Sequence, residues 1–131
     1  MNGNITIMVI DDQPGIRRLL AEVLQEDGYN VAIAANGYDA LHKVKEITPQ
    51  LILMDMKMPG MDGLETFREL KKAGKAERVI MMTAYGELEL VKEALNLGAY
   101  KYITKPFDIN VIKKIVAEAV NAEQCDSLKI G

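Results

Sequence analysis

The feature that most constrains the fold is an alternation, repeated five times, of a short apolar run with a segment whose apolar residues recur every three or four positions. Such short runs are typical of strands buried on both faces, and the longer spacing is typical of amphipathic helices. Parallel neighbouring strands require crossover helices, and these crossovers are right-handed. The sequence therefore predicts an α/β fold, a doubly wound sandwich with a five-stranded parallel sheet and helices on both faces.

Local signals set the expected limits of these elements. The strands are predicted at 5–10, 29–34, 51–54, 78–82 and 100–104. Asn36, Asp62 and Asp108 stand where helix N-caps are expected, and Glu65, three residues after Asp62, completes a capping box. Gly28 is expected to terminate the first helix. The helices and strands are thus bounded by residues that suit those positions.

Length, charge and cysteine content narrow the class of protein. The 131 residues, 49% of them hydrophobic, are expected to form one domain over 1–121, followed by a frayed tail over 122–131 with no output domain. The formal net charge of −3 provides no positive field for nucleic acid or an anionic membrane. Cys125 has no partner for an internal disulfide, and no basic segment leads into an apolar run. We therefore expect a cytoplasmic protein without nucleic-acid or membrane partners.

Polar side chains follow four of the five predicted strands. Asp11 and Asp12 follow the first strand, Asp55 the third, Thr83 the fourth and Lys105 the fifth. In open α/β sheets ligands bind outside the carboxyl ends of the strands, so these side chains are expected to converge at one edge. Clustered carboxylates repel one another unless a cation lies among them, and an all-oxygen donor set favours Mg²⁺, with Mn²⁺ as a substitute. The pattern indicates a magnesium and phosphate site.

Taken alone, each of these residues has a plain structural explanation. An aspartate after a strand often caps the next helix, a threonine there often satisfies the backbone, and Lys105 alone suits a solvated surface. Their joint placement favours the phosphate site. The loop after the first strand matches no nucleotide-binding motif, and Lys57 stands where aspartyl-phosphate phosphatases carry a second acid, which disfavours rapid turnover. The single histidine, His42, lies off the apolar stripe of its helix and is expected on the surface.

Several of these segments resemble a known family, the response regulator receiver domains, over residues 5–121. The motifs that carry the resemblance are Asp11-Asp12-Gln13, the segment 53–63 around Asp55, Thr83-Ala84 and Lys105-Pro106-Phe107. Within the family, Asp11-Asp12-Gln13 and the longer segments 82–88 and 104–108 are similar to the single-domain sporulation phosphorelay regulators of spore-forming bacteria. The resemblance implies a flavodoxin-like (βα)5 fold with strand order 2-1-3-4-5.

The resemblance also implies catalytic and switching roles. Asp55 would be the phosphoacceptor, taking a phosphoryl group from a phosphohistidine on a partner, and Lys105 would supply an ammonium to its oxygens. Thr83 would hydrogen-bond the phosphoryl group, and Tyr102 would rotate into the space that Thr83 vacates. The peptide bond between Lys105 and Pro106 would be cis.

A set of metal ligands follows from the same resemblance. Asp12, Asp55 and the backbone carbonyl of Lys57 would ligate Mg²⁺ directly. Asp11 would act through a water molecule. The resemblance therefore assigns all three aspartates of the expected cluster to one ion.

The resemblance further implies partners and a docking surface. The residues expected to contact a four-helix bundle carrying a histidine are Gln13, Ile16, Leu19, Tyr85, Pro106 and Phe107; for Ile16 and Leu19 a core position is the alternative. The implied protein is a monomeric, phosphotransferase-type relay intermediate between a sensor histidine kinase and a histidine phosphotransferase, with a phosphatase as a further partner, in sporulation initiation. Two alternatives stay open: a chemotaxis-type switch that grips a target when phosphorylated, and the detached receiver of a DNA-binding transcription regulator.

Overall fold

Strands and helices alternate along the chain as the sequence predicts. The computed structural model describes residues 4–75, 77–84 and 86–129, with side chains as far as residue 121. The strands are β1 (Thr6–Ile10), β2 (Asn30–Ala34), β3 (Leu51–Asp55), β4 (Val79–Thr83) and β5 (Lys101–Thr104). The helices are α1 (Pro14–Glu26), α2 (Gly37–Lys43), α3 (Gly63–Lys72), α4 (Leu88–Asn96) and α5 (Ile109–Lys129). Each strand lies within one residue of its predicted limits.

The sheet is parallel throughout, with the strand order β2-β1-β3-β4-β5. The strand order reverses between β1 and β3, and this reversal is where ligands bind in doubly wound folds. The register pairs Asp55 with Met82 and Thr83 with Thr104, so the carboxyl ends of neighbouring strands lie level. The predicted fold class and strand order are confirmed.

The sheet separates two hydrophobic clusters, one beneath each layer of helices. Successive side chains of a strand point to opposite faces. In β1, Ile7 and Val9 join the cluster under α1 and α5, whereas Met8 and Ile10 join the cluster under α2, α3 and α4. All four side chains are fully buried. Burial on both faces explains why β1 reads as a continuous apolar run.

The predicted helix caps are present. The Asn36 side chain accepts from the Asp39 N–H at 2.8 Å, the Asp62 side chain from the Glu65 N–H at 2.9 Å, and the Asp108 side chain from the Asn110 N–H at 2.7 Å. Each bond satisfies a backbone donor that the first turn of a helix leaves without a partner. The caps therefore fix where α2, α3 and α5 begin.

The carboxyl-terminal segment differs from the sequence prediction. Where a frayed tail is predicted over 122–131, α5 continues to Lys129. Residues 122–129 contain neither glycine nor proline, so nothing in them ends a helix. Although α5 has 21 residues, neither it nor any other helix in the described part of the chain is long and apolar enough to cross a membrane.

Candidate functional site

Three aspartates meet at the carboxyl edge of the sheet. Carboxylate oxygens of Asp11, Asp12 and Asp55, one from each, lie within 4.8 Å of one another. Asp11 is fully buried and Asp55 is 7% exposed, whereas Asp12 is exposed to solvent. Oxygen ligands on one side and access to water on the other suit Mg²⁺, which retains several waters and accepts phosphate oxygens. The predicted convergence of the aspartates is confirmed.

Lys105 places an ammonium group inside this acidic cluster. Its Nζ lies 2.8 Å from Asp11 Oδ2, 3.4 Å from Asp55 Oδ1 and 3.4 Å from Gln13 Oε1. The Lys105–Pro106 peptide bond is cis, as the family resemblance implies. The ammonium offsets part of the repulsion between the carboxylates, and its position beside Asp55 Oδ1 suits contact with the oxygens of a group attached to Asp55.

The environment of the site shifts the pKa values of Asp55 and Lys105. Burial raises the pKa of Asp55 to about 6; the charge of Asp11 acts in the same direction, and Lys105 opposes it. Burial lowers the pKa of Lys105, but its hydrogen bond to Asp11 and the charges of Asp11 and Asp55 outweigh this effect, so the pKa is raised overall. A cation at the cluster would favour the ionised, nucleophilic form of Asp55.

A close backbone contact holds the loop after β3 in place. A Cβ atom at Gly63 would lie 2.4 Å from the carbonyl oxygen of Asp55 and 2.9 Å from the Met56 Cα. The Gly63 N–H donates to the Met56 carbonyl oxygen at 2.9 Å. Only glycine allows α3 to start so close to the end of β3, and this packing fixes the backbone on which Asp55 and Lys57 lie.

Thr83 is buried at the end of β4 and donates its hydroxyl to Glu87 Oε1 at 2.7 Å. Tyr102 is 44% exposed. Together with residues of α4, these three side chains line a groove of about 380 Å³. The structure therefore brings both predicted switch residues to one groove, with Tyr102 on its exposed side.

Two residues at the site were not found by sequence reasoning. Glu87, just before α4, binds Thr83; the available signal was an acidic residue at a helix N-terminus, a favoured position for negative charge. Arg17 Nη1 donates to the Asp11 carbonyl oxygen at 2.7 Å and so ties α1 to the loop after β1. An arginine on a helix gives no such signal in sequence. His42 is exposed, as predicted.

The described members of the predicted docking surface surround one groove beside the acidic cluster. They are Gln13, Ile16, Leu19, Pro106 and Phe107, and with Lys105 they line about 380 Å³. Leu19 is 39% exposed, so a core position is wrong for it, whereas Ile16 is half-buried and packs against the core. Tyr85 lies outside the described residues, and its docking role stays a prediction.

Known proteins are similar to this chain in sequence. The chain matches the family model of the response regulator receiver domain over residues 7–117. It is 49% identical over 113 residues to sporulation initiation phosphotransferase F of Bacillus subtilis (strain 168), covering 86% of this chain and 91% of that protein. It is 34% identical over 116 residues to chemotaxis protein CheY of the same strain, covering 88% of this chain and 97% of CheY.

A solved structure shows the same architecture. The crystal structure of a response regulator receiver domain protein from Clostridium thermocellum aligns with a TM-score of 0.85 at 29% identity, covering 92% of this chain and 98% of that one. Because the family model runs from β1 into the first half of α5, the match includes every strand end that contributes to the acidic cluster. This chain belongs to the response regulator receiver domain family of two-component signalling.

Proposed function

We propose that Asp55 accepts a phosphoryl group from a phosphohistidine of a sensor histidine kinase, and that the chain then passes the group to a histidine phosphotransferase. The observation that carries the proposal is the convergence of Asp55 with two further aspartates and with Lys105, whose Nζ lies 3.4 Å from Asp55 Oδ1. The 49% identity to a sporulation initiation phosphotransferase supports a relay that controls the start of sporulation.

The chemistry follows from the placement of charge. An ionised oxygen of Asp55 attacks phosphorus while the phosphorus–nitrogen bond breaks, and the departing ring nitrogen keeps the electron pair. Lys105 neutralises charge on the transferring oxygens. Asp12, Asp55 and the Lys57 carbonyl would hold Mg²⁺ directly, with Asp11 acting through water, and the ion would supply further charge neutralisation. The acyl phosphate on Asp55 is attacked in turn by the acceptor histidine.

The residue beside the phosphoacceptor favours transfer over hydrolysis. Lys57 lies two positions after Asp55, and its side chain is 70% exposed at the mouth of the site. It presents an ammonium rather than a carboxylate that would activate water. This arrangement supports a phosphate that persists until a partner histidine takes it.

The groove next to Lys105 is the proposed site at which the helix bundle of the phosphotransferase docks on this chain, which would act as a monomer. Its apolar residues lie beside the acidic cluster, so a helix bundle seated there would bring its histidine to Asp55. A phosphatase that used the same groove would compete with the bundle. If the sensor kinase docks in this groove as well, the kinase and the phosphotransferase would bind one after the other.

The proposal is tested by incubating the protein with a radiolabelled, phosphorylated histidine phosphotransferase, with and without Mg²⁺. We expect label to move to this chain only with Mg²⁺ and to return to unlabelled phosphotransferase added later. Asp55→Ala should abolish labelling, and Glu89→Gln, which removes a charge from an exposed side chain of α4, should retain it. Labelling of Asp55→Ala would refute the assignment of the phosphoacceptor.

A chemotaxis-type binding switch is the second candidate. The identity to CheY and the exposure of Leu88 (56%) and Tyr102 (44%) beside the α4 groove favour it. In that case the label would pass to water without returning to the phosphotransferase. The same labelling experiment thus separates the two candidates.

A further inference from the structure

The hydroxyl of Thr83 is already engaged by a buried carboxylate. Thr83 Oγ1 donates to Glu87 Oε1 at 2.7 Å, and the Ala84 N–H donates to the same oxygen at 2.8 Å. Thr83 is 4% exposed and Glu87 is 7% exposed, so water has little access to either side chain. Hydrogen bonds to an ionised acceptor are stronger than those between neutral groups.

These contacts set up a competition for one proton. A threonine hydroxyl has a single proton to donate. In this structure Glu87 Oε1, at 2.7 Å, is the nearer acceptor, and the Ala84 carbonyl oxygen lies farther away, at 3.2 Å. A hydrogen bond to an oxygen on Asp55 would therefore replace the one to Glu87. If Thr83 moved toward Asp55, Glu87 would lose one of its two donors in a buried position, which is costly for a carboxylate.

A third partner for Glu87 lies across the mouth of the site. Lys57 Nζ is 4.0 Å from Glu87 Oε2, and the lysine side chain is 70% exposed. At this distance and exposure the ion pair contributes little to holding Glu87 in place. It does offer the carboxylate a cation to approach once Thr83 has left.

We propose that Glu87 competes with the phosphoryl group for the Thr83 hydroxyl, and so limits how readily the site becomes phosphorylated. The proposal rests on the proposed phosphoacceptor role of Asp55. Glu87 is a positioning residue, because it acts through Thr83 and contacts no reacting atom. Without the Glu87 carboxylate, the Thr83 hydroxyl is free to donate to an oxygen of the phosphoryl group on Asp55.

The first test uses the unphosphorylated protein without Mg²⁺. Three-bond scalar couplings of the Thr83 methyl group report whether its side chain holds one rotamer. We expect one rotamer in the wild type and in Glu87→Gln, whose amide oxygen still accepts a hydrogen bond, and an average over several rotamers in Glu87→Ala. Glu89→Ala, which removes an exposed carboxylate from the first turn of α4, is the control and should match the wild type. A single rotamer in Glu87→Ala would overturn the proposal.

The second test measures phosphorylation by acetyl phosphate with Mg²⁺. Because the lost bond has a charged acceptor, we expect the half-saturating acetyl phosphate concentration to fall about tenfold in Glu87→Ala. We expect a fall of about threefold in Glu87→Gln, whose neutral hydrogen bond is weaker, and no change in Glu89→Ala. If the wild type is labelled and Glu87→Ala behaves like Glu89→Ala, the competition is refuted and the function of Asp55 stands. If no variant is labelled, the proposed function fails, and the competition fails with it.

Discussion

Asp11, Asp12 and Asp55 are chemically identical side chains to which the fold gives different environments. Asp11 is fully buried and pairs with Lys105 at 2.8 Å, whereas Asp12 is exposed. Asp55 lies between these extremes, and burial raises its pKa to about 6. An ionised Asp55 is therefore a cost to the metal-free fold, and a cation bound among the three aspartates would relieve that cost.

The raised pKa of Asp55 makes the stability of the metal-free protein depend on pH. Its pKa in the folded state, about 6, exceeds the value of 3.8 for an unshifted aspartate. Folding thus favours the protonated form of Asp55. The stability that this preference contributes is fully present below about pH 3.8 and is lost as the pH rises through 6. In EDTA at pH 7.5 we expect Asp55→Asn to raise the free energy of unfolding by about 2–3 kcal/mol.

Denaturant unfolding at several pH values checks this prediction. The gain should shrink to below about 1 kcal/mol at pH 4, where Asp55 is protonated in the folded state and half-protonated in the unfolded state. Glu89→Gln serves as a control because its side chain is exposed, and it should show no such dependence. If Asp55→Asn raised the free energy of unfolding equally at pH 4 and pH 7.5, the pKa shift would not be the cause of the gain.

At the scale of elements, α1 and the segment after β5 together form the groove beside the site. Gln13 is the N-cap of α1, Ile16 and Leu19 lie in its first half, and Lys105, Pro106 and Phe107 follow β5. The two elements do not adjoin in sequence, so the parallel sheet must form before the groove exists. Leu19 lies at the rim of this groove, and its apolar side chain is exposed instead of packing in the core.

Leu19→Ala should slow phosphoryl transfer from a histidine phosphotransferase about tenfold, because it removes apolar contact area from the docking groove. Leu95→Ala is a matched control, since Leu95 is 38% exposed on α4 and Leu19 is 39% exposed on α1. The transfer rates of the two variants would be measured by quenching the reaction at successive times and counting the label on this chain. Equal slowing in the two variants would argue against docking at α1. Labelling by acetyl phosphate should be unchanged in both variants, which separates docking from chemistry.

At the scale of the whole molecule, the acidic site exists only in the folded chain. The hydrogen bond between Asp11 and Lys105 joins residues 94 positions apart, and the aspartates come from the ends of two adjacent strands. An unfolded chain has no such cluster to offer a cation. Binding of Mg²⁺ at this cluster would therefore be coupled to folding.

Mg²⁺ should stabilise the fold. At a concentration ten times its Kd we expect the free energy of unfolding to rise by about 1.4 kcal/mol, measured by denaturant unfolding against KCl of equal ionic strength. Asp12→Asn should reduce this gain while leaving the metal-free stability nearly unchanged, because Asp12 is exposed. An equal response to Mg²⁺ and KCl would exclude a specific site.

The sequence by itself determined the fold class, the strand order through the family resemblance, and the three aspartates and the lysine that meet at the acidic site. These follow from local signals: apolar periodicity, caps such as Asp62, and aspartates placed directly after strands. Parallel strands bring such residues to one edge whatever the details of packing.

Only the tertiary structure decided which two of the three aspartates are buried, that Leu19 rather than Ile16 is exposed, that α5 continues to Lys129, and that Glu87 binds Thr83. Each depends on contacts between elements or on how a loop folds back, which leave no periodic signal in the chain. The pKa of Asp55 belongs to the same group, because it is set by the surroundings of the carboxyl group.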